Sequence, residues 1–290
     1  MCIRDRTIHR AAPERVEPKC AVFGICGGCA LQHMDADAQI HAKQEVLLEN
    51  FERIGKVSPA EVLPPLTGPH WGYRRKARMG VRYVAKKGRV LIGFREKRAP
   101  YIVDMHRCEV LHPSVGERLD ELSELIGSLQ AAARIAQIEV AVDDSQTALV
   151  FRNLEPLGES DREKMIAFAQ AHDMRFFLQP GGPDSVEPLW PEQTQLSYAL
   201  PEFDVRFNFT PTGFTQVNTD INRKMVPYAI ELLQVQPDER VLDLFCGIGN
   251  FTLPLARRAK SVVGVEAVSY THLRAHETVL DLVCRLLLEK

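Results

Sequence analysis

The chain has 290 residues, 45% of them hydrophobic and 26% charged, with a formal net charge of −2, the proportions of a globular protein of about two domains. No apolar run reaches the roughly 20 residues of a membrane span, the opening residues do not read as a signal peptide, and seven cysteines at scattered spacing are no small secreted disulfide framework. Clustered thiols in a chain of this size point instead to a metal site in a reducing cytoplasm.

In chain order, residues 36–55 carry Ile40, Val46, Leu47, Leu48, Phe51 and Ile54 at roughly helical spacing before a glycine, which predicts one amphipathic helix. Residues 58–73, rich in proline and glycine, read as a connector. From Arg74 to about Arg107 the pattern turns to strands, with a hairpin closing on Lys86, Lys87 and Gly88. Residues 114–135 read as helix, 138–153 as a second strand pair, 159–172 as helix and "RFFLQP" as a strand. After a further Pro-rich stretch, 203–218 is a strand that runs into a turn. A helix follows, with Thr219 or Asp220 as its cap. "RVLDLFCGIGNFTLPLARRAKSVVGVE" then reads as strand, tight glycine turn, helix and strand. A boundary near residue 203 separates a mostly antiparallel α+β domain from the opening of a parallel α/β sheet. Both ends look foreign: residues 1–6 and 268–290 resemble translated linker sequence, and the second begins where a βαβ unit should enter its next helix. Cys2 and Cys284 are therefore left out of any functional reading.

In "LDLFCGIGN" an apolar strand runs into Gly247-x-Gly249. Glycines let the backbone turn tightly and approach a ligand closely, and a helix N-terminus offers free amides to an anionic group. A dinucleotide fingerprint wants a third glycine three positions on, where Thr252 stands. At the tip of the next strand Glu266 can accept from both ribose hydroxyls of an adenosine. An acid for the ribose without the third glycine fits S-adenosylmethionine better than NAD, and Cys246 within the turn reads as a small buried residue.

"CAVFGICGGCA" places Cys20, Cys26 and Cys29 at C-x5-C-x2-C, and Cys108 in "DMHRCEV" is the best fourth thiol. An iron–sulfur cluster takes four thiolates, commonly a close group plus a distant one; zinc accepts four as well. The third signal is charge. Between Tyr73 and Arg98 lie Arg74, Arg75, Lys76, Arg78, Arg82, Lys86, Lys87, Arg89, Arg95, Lys97 and Arg98 against one acid, Glu96. Such a concentration attracts phosphate backbones, and Tyr73, Tyr83, Phe94 and Tyr101 offer stacking faces.

Together, "CAVFGICGGC" with "HRCEV", "GYRRKARMG", "FTPTGFTQVN" and "VLDLFCGIGNFTLPLA" resemble the iron–sulfur RNA uracil-5 methyltransferases. The resemblance implies an α+β central iron–sulfur domain over 20–202. It implies, over 203–267, the start of a Rossmann-like class I S-adenosylmethionine-dependent methyltransferase domain, incomplete here, with 7–19 as the remnant of an OB-like TRAM domain. By the same resemblance Cys20, Cys26, Cys29 and Cys108 hold a 4Fe–4S cluster. Gln216, Phe245, Asn250 and Glu266, with Gly247 and Gly249, contact S-adenosyl-L-methionine, the substrate is 23S ribosomal RNA, and a cytoplasmic monomer is expected. The nucleophilic cysteine and the carboxylate base of that family fall beyond residue 266, so no catalytic residue is assigned and this chain is expected to be inactive by itself. Two rivals stay open. A DNA cytosine-5 methyltransferase also suits "DLFCGIG", but its Pro-Cys nucleophile is missing. The other is a non-enzymatic RNA-binding protein with four thiols on structural zinc.

Overall fold

The computed structural model describes residues 8–266, so the leader and tail expected at 1–6 and 268–290 lie outside the described residues. Strict alternation in "KARMGVRYV" makes β1 (Lys76–Val84), with Ala77, Met79 and Val81 buried and Arg78 and Arg82 exposed. The chain reverses through Ala85–Lys87 and Gly88, whose φ of 64° suits glycine, into β2 (Arg89–Gly93). β1 also pairs antiparallel with β3 (Ile135–Val142), and β3 with β4 (Thr147–Asn153). α4 (Glu159–Ala171) then crosses over to β5 (Met174–Leu178), parallel to β4, and β6 (Glu187–Trp190) closes the edge. The result is a six-stranded, mostly antiparallel sheet in the order β2-β1-β3-β4-β5-β6.

α2 (Pro113–Gly116), α3 (Leu119–Gly127) and α4 pack on one face. Leu119, Leu122, Leu125 and Ile126 recur at three- and four-residue spacing and are buried. Phe151 and Phe176 meet beneath them at 4.7 Å between ring centroids. The other face of the sheet, through Ala141, Ala148, Val150 and Phe177, supports a second core. That core adds β7 (Leu196–Leu200), β8 (Val205–Phe209), α5 (Thr219–Leu233), α6 (Thr252–Ala256) and Val262 of β10 (Ser261–Val265). β10 runs parallel to β9 (Arg240–Leu244).

Several expectations shift. Strands β6 and β7 occupy what read as a Pro-rich connection. β7 pairs with β8 through the turn at Pro201–Phe203, so the division expected near residue 203 falls inside a hairpin. The helix expected over 114–135 breaks into shorter pieces, the last being a 3-10 turn at Ala132–Arg134. The cap of α5 is Asn218, whose side-chain oxygen accepts from Ile221 N–H at 3.1 Å, rather than Thr219 or Asp220. α1 (Ala36–Asn50) forms where predicted, capped by Asp35, but buries none of its residues. Its apolar residues are spread around the helix rather than gathered on one side, so the amphipathic character expected over 36–55 is missing from α1.

Candidate functional site: two cavities on either side of residues 74–76

The first cavity, of about 260 Å³, is lined by Cys20, Cys26, Cys29 and Cys108 together with Arg74, Phe94 and Glu109. Short turns shape the cysteine loop: Phe23 N–H donates to Cys20 C=O and Cys26 N–H to Val22 C=O, each at 3.0 Å. The loop is stitched to the segment after β2, where Gly27 N–H donates to Arg95 C=O at 2.9 Å and Lys97 N–H to Ile25 C=O at 2.7 Å. Cys108 arrives from the other side, its N–H bonded to Gly116 C=O at 2.9 Å.

None of the four is disulfide-bonded. Burial pushes the Cys108 thiol up to about 11, with backbone N–H groups at 110 and 111 opposing and the charges of Cys29 and Cys20 adding to it. Cys26 is raised as well, first by burial and then by Cys29 and Cys20, against the Gly28 N–H. Cys26 and Cys108 thus each feel the sulfurs of Cys29 and Cys20, and four thiolates lining one cavity would need a cation among them. Glu109, the nearest acid, is committed to Lys19 at 3.1 Å and Arg107 at 2.9 Å. Among the described residues no three His, Cys, Asp or Glu side chains converge at the spacing of one metal ion.

The second cavity, about 570 Å³, is walled by β8 and the loop after it, through Asn208, Thr210, Phe214 and Gln216, and floored by the glycine turn. Of the six residues expected at the cofactor, Gln216, Phe245, Gly247, Asn250 and Glu266 line it, whereas Gly249 is buried behind it. Phe245 takes φ 62° and Gly247 φ 57°, so the turn coils left-handed directly off β9. The Glu266 carboxylate, 9% exposed, accepts from Gly247 N–H at 2.8 Å. It therefore fixes the turn as well as facing the cavity.

Thr252, which stands in place of the dinucleotide glycine, is 1% exposed and donates its hydroxyl to Asp243 at 2.6 Å. That bond ties the base of the turn to β9. The helix expected to begin at once starts only at Thr252 and runs five residues.

Two residues that sequence reasoning passed over hold Asn250. Its Oδ1 accepts from Tyr198 O–H and from Asn222 Nδ2 at 3.0 Å each, and its Nδ2 donates to Asn222 Oδ1 at 2.9 Å. The Asn250 side chain is thus largely occupied by protein partners. Tyr198 lies on β7, whose alternation of Leu196, Tyr198 and Leu200 was the available signal.

The basic hairpin is less positive than its composition. Arg78 pairs with Glu139 at 2.6 Å, Arg89 with Asp120 at 2.8 Å, and Lys87 with Asp104. Arg75 is directed at Asp144, and Lys76 is turned inward onto the Pro211 carbonyl. The acids come from 104–144, outside the segment in which charges were counted. Among the described residues, Arg82, Lys86, Arg95, Lys97 and Arg98 are exposed and form no ion pair; Tyr83 and Tyr101 beside them are 44% and 69% exposed.

Residues 193–280 match the family model for tRNA (Uracil-5-)-methyltransferase. The chain is 51% identical over 270 residues to the 23S rRNA (uracil(1939)-C(5))-methyltransferase RlmD of Xanthomonas axonopodis pv. citri, covering 93% of this chain and 61% of that protein. It is 52% identical over 275 residues to RlmD of Methylococcus capsulatus, covering 94% of this chain and 62% of that one. The chain thus spans about three-fifths of the length of the curated relatives it matches. Among solved structures, the Pyrococcus abyssi tRNA (uracil-54, C5)-methyltransferase in complex with S-adenosyl-L-homocysteine superposes with a TM-score of 0.66 at 22% identity, over 91% of this chain and 62% of that one. That likeness is one of fold.

Proposed function

We propose, from the premise that this chain is a homologue of the RlmD 23S rRNA (uracil-C5)-methyltransferases, that the protein to which it belongs methylates carbon 5 of a uridine in 23S rRNA with S-adenosyl-L-methionine. The observation that carries the reading is the single cavity shared by Gln216, Phe245, Gly247, Asn250 and Glu266. Glu266 is the acceptor for ribose hydroxyls, Phe245 an apolar edge for the adenosine, and Gln216 an amide for the polar end. The cofactor supplies an electrophilic methyl group. Carbon 5 of uracil becomes nucleophilic only after a thiolate adds to carbon 6, and the carbon-5 proton must then leave to a base. Neither of those groups is assigned among the described residues.

The test follows that lost proton. Full-length protein, cofactor and 23S rRNA carrying tritium at uracil carbon 5 should release tritium to water in step with methyl incorporation. Methylation with the tritium retained would overturn the carbon-5 assignment.

For the thiol cavity we read a 4Fe–4S cluster. Its donor set is all sulfur, and a cluster fills the space between its ligands with its own iron and sulfide. A lone zinc ion instead draws four sulfurs to about 2.3 Å from one point. The RNA reading rests on the exposed cations left after ion pairing. Replacing Arg95, Lys97 and Arg98 together with alanine is expected to lower the slope of log K against log salt for rRNA binding by about 2. The triple replacement of Arg78, Lys87 and Arg89 should leave the slope near that of the unaltered protein. Equal slopes in both triple variants would remove the 95–98 segment from the RNA face.

A further inference from the structure

Like the side chains of Arg74 and Arg75, that of Lys76 donates to a backbone carbonyl, but of the three it alone reaches the loop after β8, at Pro211. Its one acidic neighbour is already engaged, since Glu139 accepts from Arg78 at 2.6 Å and from Gln137 at 3.2 Å. Charge pairing therefore does not explain why a lysine is spent here.

The carbonyl it reaches begins the loop that walls the second cavity. That loop has few other ties. Gly213 N–H turns back locally onto Thr210, at 2.9 Å to the carbonyl and 3.1 Å to the hydroxyl. At its far end Arg75 N–H donates to Val217 C=O at 2.9 Å, and Arg74 bridges Asn218. Both ends of the wall thus hang from three consecutive residues of the central domain. Phe214, 70% exposed, and Gln216 lie in the span between the two attachments.

The stretch 74–76 is itself firmly held. Arg74 N–H donates to Val110 C=O at 2.8 Å and His112 N–H to Arg74 C=O at 2.9 Å, while Val142 N–H donates to Arg75 C=O at 2.8 Å.

We infer that Lys76 is a positioning residue for the cofactor cavity, fixing the Thr210–Gln216 wall against the central sheet so that Gln216 and Phe214 face the ligand. The inference rests on the reading of this cavity as the S-adenosylmethionine site. A buried ammonium used only for bulk would be a poor choice, because burial lowers its basicity, to about 8 here, with Glu139 opposing and Arg78 reinforcing that shift. The side chain is kept because three N–H donors on a long stem reach a carbonyl that no apolar residue can satisfy.

The test compares Lys76→Met, which keeps the stem and loses the donors, with Lys76→Arg, which keeps a donor. S-adenosyl-L-homocysteine binding to the 290-residue chain is measured by calorimetry, with melting temperature as a check on folding. Lys76→Met is expected to weaken binding about tenfold with little change in melting temperature, and Lys76→Arg to recover most of the loss. In the ligand-free protein, amides 212–217 should exchange faster in Lys76→Met than in wild type. Wild-type affinity and wild-type exchange in Lys76→Met would overturn the inference. A wild-type chain that binds no S-adenosyl-L-homocysteine would count against the cofactor reading, and the exchange measurement would then decide the role of Lys76 by itself.

Discussion

Replacing Cys108 with alanine is expected to leave the protein colourless and nearly free of iron, where the proposed cluster should make the anaerobically purified wild type brown, with about four irons per chain. The effect is large because Cys108 is the one proposed ligand that does not belong to the 20–29 loop. Removing it opens the cavity on the side that the loop cannot reach. Cys108 is 7% exposed and its thiol is pushed up to about 11. A buried thiol of that kind stays protonated at neutral pH unless a cation holds it as thiolate.

Cys246→Ala is the matched control, since Cys246 is also buried but belongs to the glycine turn of the other cavity; it should keep its iron. Gly116→Ala should reproduce part of the Cys108 defect without touching a thiol. A methyl there would sit 2.4 Å from the Cys108 carbonyl oxygen and displace the backbone that presents the sulfur. Iron content measured against zinc decides the matter. A colourless wild type with one zinc per chain would overturn the cluster, and full iron retention by Cys108→Ala would overturn its ligand set.

Glu266→Ala is expected to weaken S-adenosyl-L-homocysteine binding about 100-fold, and Glu266→Gln about tenfold. The carboxylate has two duties, and alanine abolishes both. It accepts from Gly247 N–H at 2.8 Å, which fixes a turn whose φ angles at 245 and 247 are already left-handed. It also faces the cavity as an acceptor. Glutamine keeps an acceptor oxygen for the turn and loses the negative charge, so the gap between the two variants measures the turn's share.

Gly247→Ala separates conformation from contact. Nothing lies within 4 Å of a Cβ at that position, so its cost is the left-handed strain of about 1 kcal/mol. Calorimetric titration of the three variants tests the scheme. Similar affinities for wild type and Glu266→Ala would remove Glu266 from the binding site.

The amino-acid order by itself determined the hairpin at Lys86–Gly88, the alternation of β1, the glycine turn after β9 and the close spacing of Cys20, Cys26 and Cys29. Each is local: a two-residue side-chain period, a glycine where φ turns positive, a sulfur at fixed spacing. β6 escaped because Pro188 and Pro191 marked the stretch as a connection, and an edge strand tolerates proline where an inner one does not. Beside it, β7 and its Tyr198 were lost, although the alternation was there to read.

Tertiary structure alone decided the rest. Asp104, Asp120, Glu139 and Asp144 fold back onto the basic segment, so Arg75, Arg78, Lys87 and Arg89 are paired with acids that no local count includes. Asn222 and Tyr198 converge on Asn250 from two different elements, and Lys76 crosses to Pro211. Sequence sets what a side chain can donate or accept. Which distant groups share a cavity is set by long-range strand pairing and core packing, and these fix the spacing that makes a partner.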